Sequence, residues 1–325
     1  MDPTVDVSVA ICTWNRAKLL DRTLTGMRSL RIPDGLSWET LVVNNNGTDD
    51  TNAVALGHAA TLPVRLLQEP RQGHSHARNR AIDEARGRLI IWTDDDVLVD
   101  SEWLAEYVKA AQAFPDAGFF GGTVDPWFET EPPEWVRRNL VQLEGPFALR
   151  RFGPEVRRLA EGEMVFGASM AIRAVLLREH RFNTALGRVG AGMLSGDETE
   201  LMERFAAAGR FGVWVGTARV DHFIPAERLT AAYIWKFYRG IGRTSQRVSP
   251  YDGTGPRLFG APRWLWRRYL GERLRAARLG FRKNEAWLRA FTRAATTRGI
   301  IDEFQSYLPG EPGASATGAL KHSGR

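Results

Sequence analysis

The stretch RLIIWTDDDVLVD, Arg88 to Asp100, places three adjacent carboxylates, Asp94, Asp95 and Asp96, directly behind an apolar run. Neighbouring carboxylates repel one another, and little water reaches the end of a buried strand to screen them, so the triplet needs either exposure or positive charge in its midst. A bound cation meets that need. Upstream of the strand over Arg88–Thr93, HSHARNRAIDEARG reads as a helix that stops at Gly87, and PVRLLQE as a strand. WETLVVNN is a further strand, ended by the turn-forming NNNGTDD, after which Asp50 or Thr51 starts a helix through Ala60. VDVSVAIC, Val5 to Cys12, is the first strand, and Leu19, Leu20, Leu24, Met27 and Leu30 recur behind it at helical intervals. The order β-α-β-α-β-α-β predicts an α/β fold with a mostly parallel sheet flanked by helices. Ligands of such sheets bind at the carboxyl ends of the strands. Thr13, Asn15 and Arg16, then Asn44 and Asn45, then the aspartate triplet all fall there.

Composition narrows the classes. With 325 residues, 43% hydrophobic and 25% charged, the chain is long enough for one large domain or two smaller ones. A single cysteine, Cys12, excludes an internal disulfide and a thiolate metal cage, and predicts a reducing, cytoplasmic setting. The N-terminus has no secretory signal and no window has the apolar length of a membrane span, so a soluble or surface-bound protein is expected. The net charge of +6 points to an anionic partner.

Two common phosphate-binding devices fail at the first turn. ICTWNRAKLL contains no glycine, so neither G-x-G-x-x-G nor a P-loop can form there. A diphosphate would then need a divalent metal on carboxylates, with basic side chains assisting; Mg²⁺ and Mn²⁺ suit such oxygen ligands. On an extended segment Asp94 and Asp96 face the same way, leaving Asp95 to reach a ribose hydroxyl.

VSVAICTWNR, LVVNNNGTDDT, GHSHARNRAIDEARGRLIIWTDDDV, FGASMAIR and LSGDETELMERF occur in an order that resembles family 2 glycosyltransferases of the GT-A fold, a Rossmann-like arrangement. The likeness covers about the first 225 residues. It implies a metal-dependent inverting enzyme that moves a sugar from a nucleotide diphosphate sugar to an acceptor hydroxyl, in glycan, polysaccharide or glycolipid synthesis. By the same likeness Thr13, Trp14, Asn15 and Arg16 border the nucleoside pocket together with Asn44, Asn45 and Gly73, while Arg78 and Asn79 form a donor-site pair. Asn44 stands where the family usually has aspartate, so a uracil preference does not carry over. The alternative for Arg78 is a charge on a helix surface.

Inverting transfer needs a carboxylate that accepts the acceptor's proton while a metal stabilises the departing diphosphate. The family commonly has Glu-Asp here; this chain has the inverted pair Asp197-Glu198, so position for position Glu198 takes the base role and Asp197 is the second candidate. An acidic first helical turn behind Ser195 or Gly196 is the structural alternative. His222 lies where several GT-A enzymes complete the metal shell with histidine, Asp94 and Asp96 supplying the other ligands; a hydrogen-bonded histidine after a short strand is the alternative. GGTVDPWFETEPPEWV is expected as a cleft loop whose tryptophans pack on sugar rings or in the core, and GRVGAGMLSG as a lid.

Residues 226–308 are expected to be helical and basic. Trp264, Trp266, Leu270, Leu274, Leu279, Phe281, Trp287, Leu288 and Phe291 interleave with arginines, a pattern that suits either an anionic membrane surface or packed helices with a solvated face. Residues 309–325 are expected to be a disordered tail. A sugar nucleotidyltransferase is a second reading, though its glycine-rich basic loop is missing. A nucleic-acid-binding protein is a third, and leaves the acids at the strand ends unexplained.

Overall fold

In the computed structural model, residues 5–190, 192–193, 196–251 and 254–306 are described. β1 (Val5–Thr13), β2 (Trp38–Asn44), β3 (Val64–Gln68) and β4 (Gly87–Asp94) alternate with helices α1 (Ala17–Met27), α2 (Thr51–Gly57) and α3 (His74–Glu84). Then follow β5 (Val97–Val99), α4 (Trp103–Ala113), β6 (Phe119–Phe128), α5 (Glu134–Arg138), α6 (Glu144–Phe147), β7 (Val156–Arg158) and β8 (Met170–Arg173). α7 (Ala174–Glu179), α8 (Asp197–Ala207) and β9 (Gly212–Ile224) complete the first part. The sheet order is β3-β2-β1-β4-β8-β6-β9-β5, with β7 pairing β9.

The first four strands are parallel, as the βα alternation requires. Beyond β4 the sheet is mixed: β8 runs antiparallel to both β4 and β6, and β9 is parallel to β6 but antiparallel to β5 and β7. In β1, Val7, Val9 and Ile11 pack on one face with Leu20, Leu24 and Met27 of α1 and with Trp103 and Tyr107 of α4. Ala10 faces the other way, where Ala77 and Ala81 of α3, Leu177 of α7 and Phe205 of α8 gather. Alternation along a strand thus feeds two cores, one beneath each helical layer.

Several boundaries differ from expectation. α3 ends at Glu84, and Gly87 is the first residue of β4; a Cβ there would lie 2.4 Å from the Ser8 nitrogen, so the glycine serves close strand pairing. α2 ends at Gly57, before Ala60. The stretch from Gly121 to Trp135 is no single loop: through Phe128 it belongs to β6, and Glu134 begins α5. Its glycines fill tight contacts, since a Cβ on Gly121 would meet Val165 at 1.9 Å and one on Gly122 the Ala218 carbonyl at 2.2 Å. The GRVGAGMLSG segment has no helix or strand among its described residues, and Ala191, Leu194 and Ser195 lie outside them, as does the expected tail.

The chain divides into two compact units, Met1–Ile234 and Trp235–Arg325. The second is built on the later part of α9 (Ala231–Val248), on α10 (Arg263–Leu279) and on α11 (Glu285–Ser306), with a short hairpin of β10 (Arg257–Leu258) and β11 (Ala261–Pro262). Glu303 is buried there and accepts from Arg243 and Arg247, and Gly242 lets α9 approach the Thr296 carbonyl of α11. Among the described residues no helix is long and apolar enough to cross a membrane.

One buried polar link between the layers is open to test. Ser169 Oγ accepts from Trp103 Nε1 at 3.0 Å and lies 2.8 Å from the Tyr107 hydroxyl. Ser169→Ala strands the indole N–H in the core, which costs about 1–3 kcal/mol. We expect the Tm to drop by about 2–4 °C per kcal/mol, measured by calorimetry; an unchanged melt would mean the link is not structural.

Candidate active site

The polar strand ends converge. β1 ends at Thr13, whose hydroxyl is buried, and Trp14 is half-buried behind it. Asn15 adopts a left-handed conformation, φ 53°, and its side-chain oxygen accepts from the Thr48 backbone at 2.7 Å. Asn44, at the end of β2, accepts from Gly47 N at 2.8 Å and donates to Asn52. The Gly47 N–H can only donate, which fixes the orientation of the Asn44 amide. Asn45 donates to the Glu69 and Arg71 carbonyls and accepts from Gly73 N, so its amide ties β2, β3 and the start of α3 together. Asp49 accepts from Ala17 N and from Thr51, capping α1 from a distant loop. Asn79 is likewise a brace: its amide donates to the Phe182 carbonyl and accepts from the Phe182 N–H.

Of the aspartate triplet, Asp94 ends β4 while Asp95 and Asp96 form a two-residue turn into β5. The segment is therefore not extended as expected, and Asp95 and Asp96 lie close enough to share one guanidinium nitrogen of Arg16, 2.9 Å from each. His222 also departs from expectation, because it sits inside the long strand β9, paired with Val97 of β5 and Pro126 of β6. That pairing carries it to the triplet. Ligand atoms of Asp94, Asp96 and His222 all lie within 4.8 Å of one another.

The ring of His222 is oriented from behind. Nδ1–H donates to the Phe147 carbonyl at 2.7 Å, which turns Nε2 to Asp96, 3.3 Å away. As an imidazolium that nitrogen donates to the carboxylate; as a neutral imidazole it offers a lone pair to a cation shared with Asp94 and Asp96. The donor set of two carboxylates and one imidazole thus fits a divalent metal such as Mn²⁺ or Mg²⁺. Arg228, which carried no sequence signal, is buried beside them with a nitrogen 3.4 Å from Asp96.

Charge explains the titration of these acids. Burial pushes the Asp94 carboxyl up, and Asp96 adds to the rise. Burial raises Asp95 to about 6 against the pull of Arg16. Burial also acts on Asp96, but His222, Arg16 and Arg228 outweigh it and hold that carboxyl below the usual range.

A second acid cluster opens α8. Arg78, the donor-site candidate, is almost wholly buried rather than a charge on a helix surface, and it grips both members of the inverted pair: Nη1 donates to Asp197 at 2.7 Å and Nη2 to Glu198 at 2.8 Å. Its guanidinium carbon lies 4.9 Å from the centre of the Phe182 ring. A Cβ on Gly167 would come within 2.0 Å of Arg78 and 2.7 Å of Glu198, so the glycine of FGASMAIR makes room for the pair. Asp197 is buried, with Ser75 3.5 Å and His74 3.8 Å away, whereas the Glu198 side chain is one-fifth exposed. Ser75, His74 and Gly167 were not legible as site residues, because nothing local marks what crosses from α3 to α8.

One buried cation facing two carboxylates leaves room for one proton. Burial and the neighbouring Glu198 raise Asp197 to about 7, while burial of Glu198 is outweighed by Arg78, which holds that carboxyl below its ordinary value. An unfolded Asp releases its proton near pH ~4. The stability contributed by the Asp197 proton is therefore complete below that pH and lost as pH rises through about 7. Thermal melts between pH 5 and 8 should show Tm falling with pH, and Asp197→Asn, neutral throughout, should flatten the slope. An unaltered slope in the variant would place the proton elsewhere.

Comparison with known proteins agrees with this geometry. Residues 8–179 match the family described as Glycosyl transferase family 2. The chain is 24% identical over 251 residues to the succinoglycan biosynthesis protein ExoM of Rhizobium meliloti, covering 75% of each chain. It is 24% identical over 220 residues to a glucosyl-dolichyl phosphate glucuronosyltransferase of Haloferax volcanii, covering 66% of this chain and 68% of that one. In fold it is similar to the mannosyltransferase PcManGT of Pyrobaculum calidifontis, solved with GDP-Man and Mn²⁺, with a TM-score of 0.62, 19% identity and coverage of 94% and 90%. It also resembles TarS of S. aureus in complex with UDP, with a TM-score of 0.54, 16% identity and 93% of each chain covered. With its sheet, its strand-end acids and a family match across more than half its length, the chain belongs to glycosyl transferase family 2 and has the GT-A fold.

Proposed function

We propose that this glycosyltransferase moves a sugar from a nucleotide diphosphate sugar to a hydroxyl of a glycan or lipid-linked acceptor, inverting the anomeric centre, with Mn²⁺ or Mg²⁺ held by Asp94, Asp96 and His222. The observation that carries the reading is the meeting of these three ligands across β4, the following turn and β9. The bound cation would supply charge stabilisation to the departing diphosphate. Arg16 and Arg228, already within reach of the triplet, add positive charge at the same place. Thr13, Trp14, Asn15, Asn44 and Asp95 form the nucleoside side of the donor site, while Asn45, Gly73 and Asn79 hold its loops in position. The catalytic domain comprises about the first 225 residues.

Glu198 is the general base in this reading. Its side chain is one-fifth exposed, whereas that of Asp197 is buried, so Glu198 is the acid of the pair that an acceptor hydroxyl can reach. Arg78 acts through the acids as a positioning residue. The setting is cytoplasmic, consistent with the single free cysteine, whose burial raises its thiol to about 12 and makes it inert.

Two outcomes test the reading. Nucleoside diphosphate release from a donor panel should require Mn²⁺ or Mg²⁺ and stop in EDTA, and Asp96→Asn should abolish both release and the metal-dependent rise in Tm with donor present. A saturating ligand at a hundred times its Kd stabilises by about 2.7 kcal/mol. Full turnover in EDTA, or release of pyrophosphate instead, would replace the metal-dependent transfer with another chemistry.

Glu198→Gln should lower kcat by about 10²- to 10⁴-fold with little change in donor affinity. Proton NMR of the product should show an inverted anomeric centre. An active Glu198→Gln beside a dead Asp197→Asn would assign the base to Asp197.

A further inference from the structure

The outer face of α10 combines dense positive charge with exposed apolar side chains. Between Arg263 and Lys283 the chain carries eight arginines and lysines and one acid, Glu272, in a protein whose total net charge is +6. The apolar residues of the region divide by position. Leu265, Trp287 and Leu288 turn inward, and Trp287 stacks on Phe291. Leu270, Leu274 and Phe281 do not: they are 56%, 60% and 80% exposed. Positions 267, 270, 274 and 278 follow helical intervals of three and four, so Leu270 and Leu274 form a stripe between Arg267 and Arg278 on one face. Arg267, Arg275 and Arg278 have no ion-pair partner among the described residues.

We infer that this face of α10 docks on the anionic surface of a lipid bilayer. The exposed side chains of the stripe and of Phe281, just past the end of α10, call for different surroundings, an apolar layer for the leucines and the phenyl ring and negative charge for the guanidinium groups. The boundary between acyl chains and phosphate headgroups provides both within the reach of one arginine side chain. A second copy of the chain does not, because a self-apposed face brings arginine against arginine. A nucleic acid would match the arginines but set Leu270, Leu274 and Phe281 against phosphates. Docking of this kind stands apart from the transfer reaction and needs neither donor nor acceptor for its test.

The full chain is sedimented with vesicles of phosphatidylcholine alone and with 30% phosphatidylglycerol, at low and high salt. We expect strong binding to the anionic vesicles only, weakened by salt. Each basic side chain near such a surface strengthens partitioning about fivefold, equivalent to ~1 kcal/mol. Arg267→Gln/Arg275→Gln/Arg278→Gln should therefore weaken binding on the order of a hundredfold. Leu270→Ser/Leu274→Ser/Phe281→Ser should weaken it about tenfold or more, with the wild-type Tm retained because these side chains are already in water, and Phe281→Ser alone should show a smaller loss. Equal binding to both vesicle types, or an apolar triple variant that binds as wild type does, would overturn the inference. So would loss of RNA binding or of self-association in that variant with vesicle binding intact.

Discussion

A guanidinium enclosed in protein must be surrounded by negative charge, and Arg78 meets that constraint by joining α3 to the first turn of α8 through Asp197 and Glu198. Loss of one partner from a buried ion pair costs about 3–5 kcal/mol, because the charge left behind has neither water nor a counter-ion. The contact therefore fixes where α8 begins relative to the sheet. Gly167 yields space to it, Phe182 covers it with a ring face, and Asn79 braces Phe182 through both backbone groups. Two carboxylates gripped by one guanidinium are thereby held in a fixed relation to α3.

The same balance recurs at the end of β4. Asp94, Asp95 and Asp96 lie in a largely buried corner, where Arg16 and Arg228 supply positive charge and His222 a ring nitrogen. Each comes from a different part of the chain, one behind β1, one from β9 and one from the turn beyond β9. Around this corner the loops are set by amides and one cap: Asn45 across three segments, Asn44 within its own turn, and Asp49 at the start of α1.

The family match ends at residue 179, ahead of Asp197, Glu198 and His222. These later residues are drawn into the site by the antiparallel half of the sheet and by Arg78, not by local sequence. In the second unit, burial separates two roles within one composition. Trp287 and Leu288 build the interior, while Leu270, Leu274 and Phe281 stay outside among arginines.

The sequence alone determined the four parallel strands and their helices, because period-2 apolar runs, helical spacing and turn residues are properties of neighbouring positions. It also determined that carboxylates gather at strand ends without a glycine nest, since that depends only on which residues follow which strand. The tertiary structure decided the rest. The glycines and proline between Gly121 and Pro126 look like loop punctuation, yet they lie in β6, where close neighbours rather than turns require small side chains. Asp94 and Asp96 meet through a turn instead of strand alternation, and His222 joins them through cross-strand pairing over more than a hundred residues. Arg78 reads as a helix surface charge or a donor-site residue, and its hold on Asp197 and Glu198 follows only from the packing of α8 beside α3. Each of these turns on which distant atoms exclude water from one another, and that is settled only when the layers close.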